Sequence, residues 1–224
     1  MNLKILVCAL FNALSFSNNM AHLATRGIGS PSVTSSFIKH PYSVLNEKGR
    51  LFMARQVPGD GGCLFHSIGA WITYLHNRRH EDFQEKHNEL SEYLRSLSVD
   101  VLLRNQSMCI EDEYDYSGNI LSQVASHYNV SVEKYCRSML NSKTWGGGPE
   151  IVAMSHHLQC PIYVYKLTHR RRGLFDWRKQ FVLELSAKFG YSAFRNKPPI
   201  YLLCVDGRYG VVCLIRSTLL INCL

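Results

Sequence analysis

Pro58-Gly59-Asp60-Gly61-Gly62-Cys63 sets one thiol behind a proline and three glycines, and Leu64-Phe65-His66-Ser67-Ile68 follows at once. Phe65, Ile68, Ile72 and Leu75 then recur at helical spacing, so Cys63 stands where a Gly-rich loop turns into a helix. First-turn N–H groups lack intrahelical partners and carry partial positive charge there. They favour thiolate over thiol, which predicts a lowered cysteine pKa and a nucleophile at neutral pH. Glycines let the loop backbone approach closely and aim further N–H groups at a developing oxyanion. The same residues also suit a tight turn that ends in a buried cysteine, and position alone does not separate the two readings.

A catalytic thiol also needs an imidazole to take its proton and return it to the leaving amine. His66 lies only three residues on, but a neighbour on the same helix is not oriented toward the thiol by default. His66 is therefore read as a helix residue rather than the base.

The elements that must hold this loop follow from periodicity. The first helix runs from Cys63 to about Asn77. A second spans Asp82 to Leu103, with Phe83, Leu90, Tyr93/Leu94, Leu97 and Val101 inward and Glu85, Lys86, Glu89, Glu92 and Arg95 on a solvated face. Residues 111–116 read as an acidic, aromatic connection. Val132 to Leu140 forms a short helix. Trp145 then supplies an apolar wall, and Gly146-Gly147-Gly148 permit close backbone approach. Pro149 and Glu150 fit the first turn of another helix, where proline's φ is preset and a carboxylate meets the positive end. Along that helix Ile151, Met154 and Leu158 face the core, while one of His156 and His157 packs and the other meets solvent. Strands are expected from Ile162, over 180–185, and at Ile200 to Val205, the last a central-strand-like run. Helices early and strands late predict an α+β, three-layer α/β-like fold with a small central sheet flanked by helices.

An apolar fraction of 46% in 224 residues suits one cored domain after a leader. Residues 1–36 carry a small charged start, an apolar run and an acid-free Ser/Thr/Gly/Arg stretch. They read as a signal or transit peptide, or as a disordered leader. The body, 37–210, has no apolar stretch long enough to span a bilayer. The net charge is +8, and from Lys166 onward eleven Lys and Arg face only Asp176, Glu184 and Asp206. That patch would suit nucleic acid or an acidic membrane surface, but no nucleic-acid module accompanies it, and a solvated hairpin tip around His169-Arg170-Arg171-Arg172 is preferred. The eight cysteines show no Cys-x-x-Cys and no zinc spacing; Cys136, Cys160 and Cys204 lie in apolar runs as reduced thiols. No metal or other cofactor is implied.

Asp60-Gly61-Gly62-Cys63-Leu64-Phe65, followed by a small residue and Ile68, resembles the nucleophile motif of the ovarian tumour (OTU) domain cysteine proteases, which are deubiquitinating enzymes. Trp145-Gly146-Gly147-Gly148-Pro149-Glu150, an apolar helix and Cys160-Pro161-Ile162-Tyr163-Val164 are similar to that family's second conserved segment. The resemblance spans roughly Phe37 to Tyr209. It implies a papain-like OTU fold, Cys63 as nucleophile, Asp60 shaping the loop and capping its N–H groups, and Gly61, Gly62 and Cys63 N–H groups around the oxyanion. It also implies ubiquitin or ubiquitinated proteins as partners.

One departure stands out. The family's histidine comes late, after the Ile200–Val205 strand, and the best register sets Asp206-Gly207-Arg208-Tyr209 there. Arg208 then occupies the histidine's place, and a guanidinium cannot act as a base near neutral pH. Residues 211–224 match nothing in the family and read either as a divergent last strand or as an end replaced in an altered gene model. Three functions remain open on the sequence: a thiol isopeptidase acting through Cys63, a ubiquitin-binding OTU-like domain without turnover, and, carried only by the basic excess from Lys166 onward, a nucleic-acid or membrane-surface binder.

Overall fold

The computed structural model describes residues 42–46, 51–55, 57–58, 60–77, 84–170, 180–204 and 213–216. The leader, the tip of the basic hairpin and residues 205–212, which include Arg208, lie outside them.

Strands β1 (Tyr42–Asn46) and β2 (Leu51–Arg55) open the described chain as an antiparallel pair. Helices α1 (Cys63–Asn77) and α2 (Gln84–Leu103) follow. A short hairpin, β3 (Ser107–Ile110) and β4 (Glu113–Tyr116), leads into α3 (Ser117–His127), α4 (Val132–Met139) and α5 (Gly148–Leu158). The chain returns through β5 (Ile162–Arg170), β6 (Gln180–Phe189), a single helical turn α6 (Tyr191–Phe194), β7 (Ile200–Cys204) and β8 (Cys213–Arg216). Six strands form one mixed sheet in the order β7-β5-β6-β1-β2-β8. β5 pairs antiparallel with β6 and parallel with β7, while β8 runs antiparallel to β2. The α+β expectation holds, and the helices pack over this sheet.

Several local expectations need correction. Among the described strands the run at Ile200–Cys204 pairs only with β5 and stands at one end of the sheet order, not in its centre. Its apolar character comes from burial instead: Ile200, Leu202 and Leu203 are all at most 1% exposed. β6 extends to Phe189, four residues past the expected end, because Ala187 and Phe189 keep the inward alternation. Residues 107–116 are a hairpin rather than an open connection, with Glu111 in the left-handed region at φ 53° to close the two-residue turn. On α2, Tyr93 is 61% exposed and only its neighbour Leu94 points inward. Arg95, expected on the solvated face, is 2% exposed.

The core joins α1, α2, α5 and the sheet. Phe65 and Ile68 on α1, Leu94 and Leu102 on α2, and Ile151 and Met154 on α5 belong to one buried cluster. Each such side chain contributes roughly 1.5–3 kcal/mol on burial. Helical spacing of the apolar residues on α1 therefore fixes which way Cys63, at its first position, faces.

Candidate active site

α1 begins at Cys63 because the loop before it supplies its own cap. The Asp60 carboxylate accepts the Gly62 N–H through Oδ1 at 2.8 Å, and the Asp60 carbonyl accepts the Cys63 N–H at 3.2 Å. The first full helical bond then runs from the His66 N–H to the Gly62 carbonyl at 2.9 Å. Asp60 thus caps backbone donors at the helix entrance, as its type and position lead one to expect. The consequence for chemistry is that two N–H groups assigned to an oxyanion, those of Gly62 and Cys63, are already engaged in this arrangement.

His66 is buried, with Nε2 3.3 Å from Asp60 Oδ2. Its Nδ1 has no hydrogen-bond partner among the described residues. The histidine therefore braces the loop carboxylate, in keeping with its reading as a helix residue. Partial burial works to raise the Asp60 pKa, but the His66 hydrogen bond and charge, the Gly62 N–H and Arg95 together outweigh it and hold the carboxyl below its ordinary value.

Cys63 is 1% exposed, and its sulfur is reached by the Leu64 backbone N–H. Here the simplest sequence expectation fails. Burial, followed by the nearby Asp60 carboxylate, pushes the thiol well above the usual cysteine value, and the Leu64 N–H and Arg95 offset this only in part. A helix start favours a thiolate only where the sulfur also meets solvent or a cationic partner, and desolvation is the larger effect in a sealed site. Cys204, the last residue of β7, acts electrostatically on Cys63, so that end of the strand lies near the thiol.

The second motif comes to the same place. A Cβ on Gly146 would meet Leu64 Cδ2 at 2.8 Å and the Phe65 ring at 3.1 Å, so this glycine lies directly on the first turn of α1. Trp145 beside it is 41% exposed, a partly open wall rather than a buried one. Gly147 N–H donates to Glu150 Oε2 at 2.7 Å, the carboxylate half of a capping box at the start of α5. Glu150 is fully buried and takes a second hydrogen bond from the Tyr135 hydroxyl at 2.8 Å. Burial raises its pKa despite those two donors. His156 packs edge-on to Phe194 while His157 is exposed, the division expected of that pair.

Sequence reasoning missed the group that connects the two motifs. Arg95 of α2 reaches between them and donates to the carbonyls of Gly61 and Thr144, both at 2.7 Å. Ser91, one turn earlier, is buried beside Gly62 and donates to its carbonyl at 3.4 Å. The signal that was available is the heptad-like register Ser91–Arg95–Ser98, a polar strip bounded by apolar Leu94 and Leu102. Charge made it read as solvated. A polar cavity of about 210 Å3 opens beside the loop, lined in part by Asp60, His66, Glu92 and Arg95. Among the described residues no cluster of His, Cys, Asp and Glu could hold a metal ion.

The structure thus brings together a buried cysteine on a helix start, a self-capped glycine loop and a Trp-Gly-Gly segment packed on that helix. The chain belongs to the OTU-like cysteine protease family, whose model matches residues 58–187. It is 30% identical over 122 residues to ubiquitin thioesterase otu2 of Schizosaccharomyces pombe, covering 54% of this chain and 34% of that one. It is 29% identical over 120 residues to OVARIAN TUMOR DOMAIN-containing deubiquitinating enzyme 4 of Arabidopsis thaliana, covering 54% and 33%. The chain thus spans about a third of the length of these curated relatives. Among solved structures, the Hazara virus OTU bound to ubiquitin aligns over 87% of this chain and 97% of that one, at a TM-score of 0.47 and 16% identity.

Proposed function

We propose that this chain is a ubiquitin-directed OTU domain in which Cys63 is the nucleophile position for isopeptide cleavage. The observation that carries the reading is the meeting of the two motifs: Gly146 on the first turn of α1, and Asp60 capping the loop that presents Cys63. Relatives named as a ubiquitin thioesterase and a deubiquitinating enzyme supply the substrate class. In the reaction the Cys63 sulfur would attack the carbonyl carbon between a ubiquitin C-terminal glycine and a lysine. The C–N bond would break, the amine would leave with a proton, and water would hydrolyse the resulting thioester.

A second reading, ubiquitin binding without turnover, is favoured by specific observations. The thiol is buried and disfavours ionisation, because burial and the Asp60 carboxylate outweigh the Leu64 N–H and Arg95. Arg208, the residue in the family histidine's register, supplies no base.

Ubiquitin carrying a cysteine-reactive C-terminal group separates the readings. Binding with slow labelling of Cys63 is expected, and Arg208→His is expected to accelerate both labelling and di-ubiquitin cleavage. Fast labelling of the unaltered chain that is lost in Cys63→Ala would establish turnover chemistry and remove the second reading. Absence of any ubiquitin binding would remove both.

A further inference from the structure

We propose that Arg95 is a positioning residue that locks the nucleophile loop to the Trp-Gly-Gly loop and so sets whether Cys63 can be reached. The inference rests on the reading of Cys63 as nucleophile. Its basis is the guanidinium's surroundings. Nη1 donates to the Met139 carbonyl at 2.9 Å and to the Thr144 carbonyl at 2.7 Å. Nη2 donates to the Gly61 carbonyl at 2.7 Å and to the Ser142 carbonyl at 3.2 Å. Four terminal N–H groups thus meet four main-chain oxygens, drawn from the loop before Cys63, the end of α4 and the loop before Trp145. The Phe65 ring lies beneath, 4.6 Å from the guanidinium carbon, so the cation is held on its face as well as at its edges.

The backbone geometry shows what this clamp holds. A Cβ on Gly61 would meet the Ser142 carbonyl oxygen at 2.6 Å and the Lys143 carbonyl oxygen at 2.5 Å, so the two loops touch main chain to main chain. Carbonyl oxygens in such an approach repel one another unless a donor stands between them. Arg95 supplies that donor to both sides: Gly61 on one loop, Ser142 and Thr144 on the other. A lysine at the same position has one charged nitrogen on a flexible stem and cannot present the planar fork that spans both loops. Among the described residues no carboxylate lies within ion-pair distance of this guanidinium, although Glu150 and Asp60 act on it from further off, and its hydrogen bonds to oxygen all go to main-chain carbonyls. With the clamp in place Cys63 is 1% exposed; with it loosened, the loop pair can part along the contact that covers the first turn of α1.

The test uses the full chain with Arg95→Lys and Arg95→Gln, and measures iodoacetamide labelling cysteine by cysteine. Cys109 serves as the internal reference, because it is equally buried but lies on β3 with its thiol donating to the Glu111 carbonyl. Cys63 labelling is expected to rise about tenfold or more in both variants, the loss of a hydrogen bond to a charged group, while Cys109 labelling stays unchanged. Its dependence on pH is also expected to shift as the sulfur gains solvent. Equal acceleration at both cysteines would mean general destabilisation and would overturn the positioning role, as would unchanged labelling at Cys63 in a folded variant. If Arg95→Gln fails to fold, Arg95→Lys still decides the matter, since it keeps charge and volume and removes only the fork. Ubiquitin binding by Cys63→Ala is measured in parallel. Its absence would sink the ubiquitin reading and leave the labelling result intact, so the two failures are distinct.

Discussion

Substituting Gly61→Ala tests whether the two motifs are held in backbone contact. The added Cβ runs into the Lys143 carbonyl group and the Ser142 carbonyl oxygen, and none of these is a flexible side-chain tip. Ordinary contact needs 3.4–4 Å, so the loops must separate by close to an ångström. A main-chain shift of that size cannot keep Arg95 bonded at once to the Gly61 carbonyl and to the Ser142 and Thr144 carbonyls. Overpacking costs about 1–3 kcal/mol, and losing one hydrogen bond to a charged group about 1.5–3 kcal/mol, which together give ~2.5–6 kcal/mol. For a domain of this size that is a drop in Tm of roughly 5–24 °C. Two other glycines calibrate the measurement. At Gly62 the Cβ would meet only side-chain atoms, His66 Nε2 at 2.9 Å and Asp60 Oδ1 and Ser91 Oγ at 3.1 Å, which can yield. At Gly147 the nearest atom is Glu150 Oε2 at 3.9 Å, an ordinary contact. Urea unfolding should therefore rank the cost as Gly61→Ala, then Gly62→Ala, then Gly147→Ala. A Gly61→Ala chain within about 1 kcal/mol of the parent, given the usual scatter for surface changes, would refute the close approach of the loops.

Cys63 should alkylate ever faster with rising pH through and beyond about 8.5, where an ordinary thiol begins to level off, because burial disfavours its thiolate. A plateau at or below that point would show an activated thiol instead. Tyr135→Phe should destabilise the chain by roughly 1–3 kcal/mol, since Glu150 Oε1 loses its hydroxyl donor in a fully buried place; a neutral result in urea unfolding would contradict the bond. The raised Glu150 pKa has a definite sign: its contribution is complete below the ordinary carboxylate value and is lost as pH rises through the folded value. The stability of the parent relative to Glu150→Gln should accordingly fall with rising pH, and a flat or rising difference would count against it. Gly190→Ala should cost roughly 2–4 kcal/mol in the same assay, because its φ of +67° strains any L side chain and the new Cβ presses into Ser155 Oγ, which holds the Cys160 carbonyl. Full stability in that variant would exclude the left-handed turn.

Much of the candidate site was legible along the chain because its signals are local. The glycine loop, the apolar spacing from Phe65 and the Pro-Glu pair at 149–150 each act within one turn, so α1 begins at Cys63 and α5 within the Trp-Gly-Gly-Gly segment. Asp60 capping is likewise a two-residue matter. Periodicity also gave α2 and α4 within a residue or two where they are described. It failed at Arg95 and Tyr93, where residue type and burial part company. The charged side chain lies inside because four carbonyls from distant segments converge on it, and the aromatic one lies outside because its neighbour fills the core.

By itself, the sequence determined the family and the glycine loop that leads into the helix starting at Cys63, since these depend on residue types a few positions apart. Tertiary structure alone decided how deeply that thiol is buried. Burial of the sulfur, with the Asp60 carboxylate beside it, outweighs the helix-start field that the local sequence promised. It also decided that a guanidinium from α2 joins the two motifs, because which carbonyls lack a donor is known only once the loops are side by side.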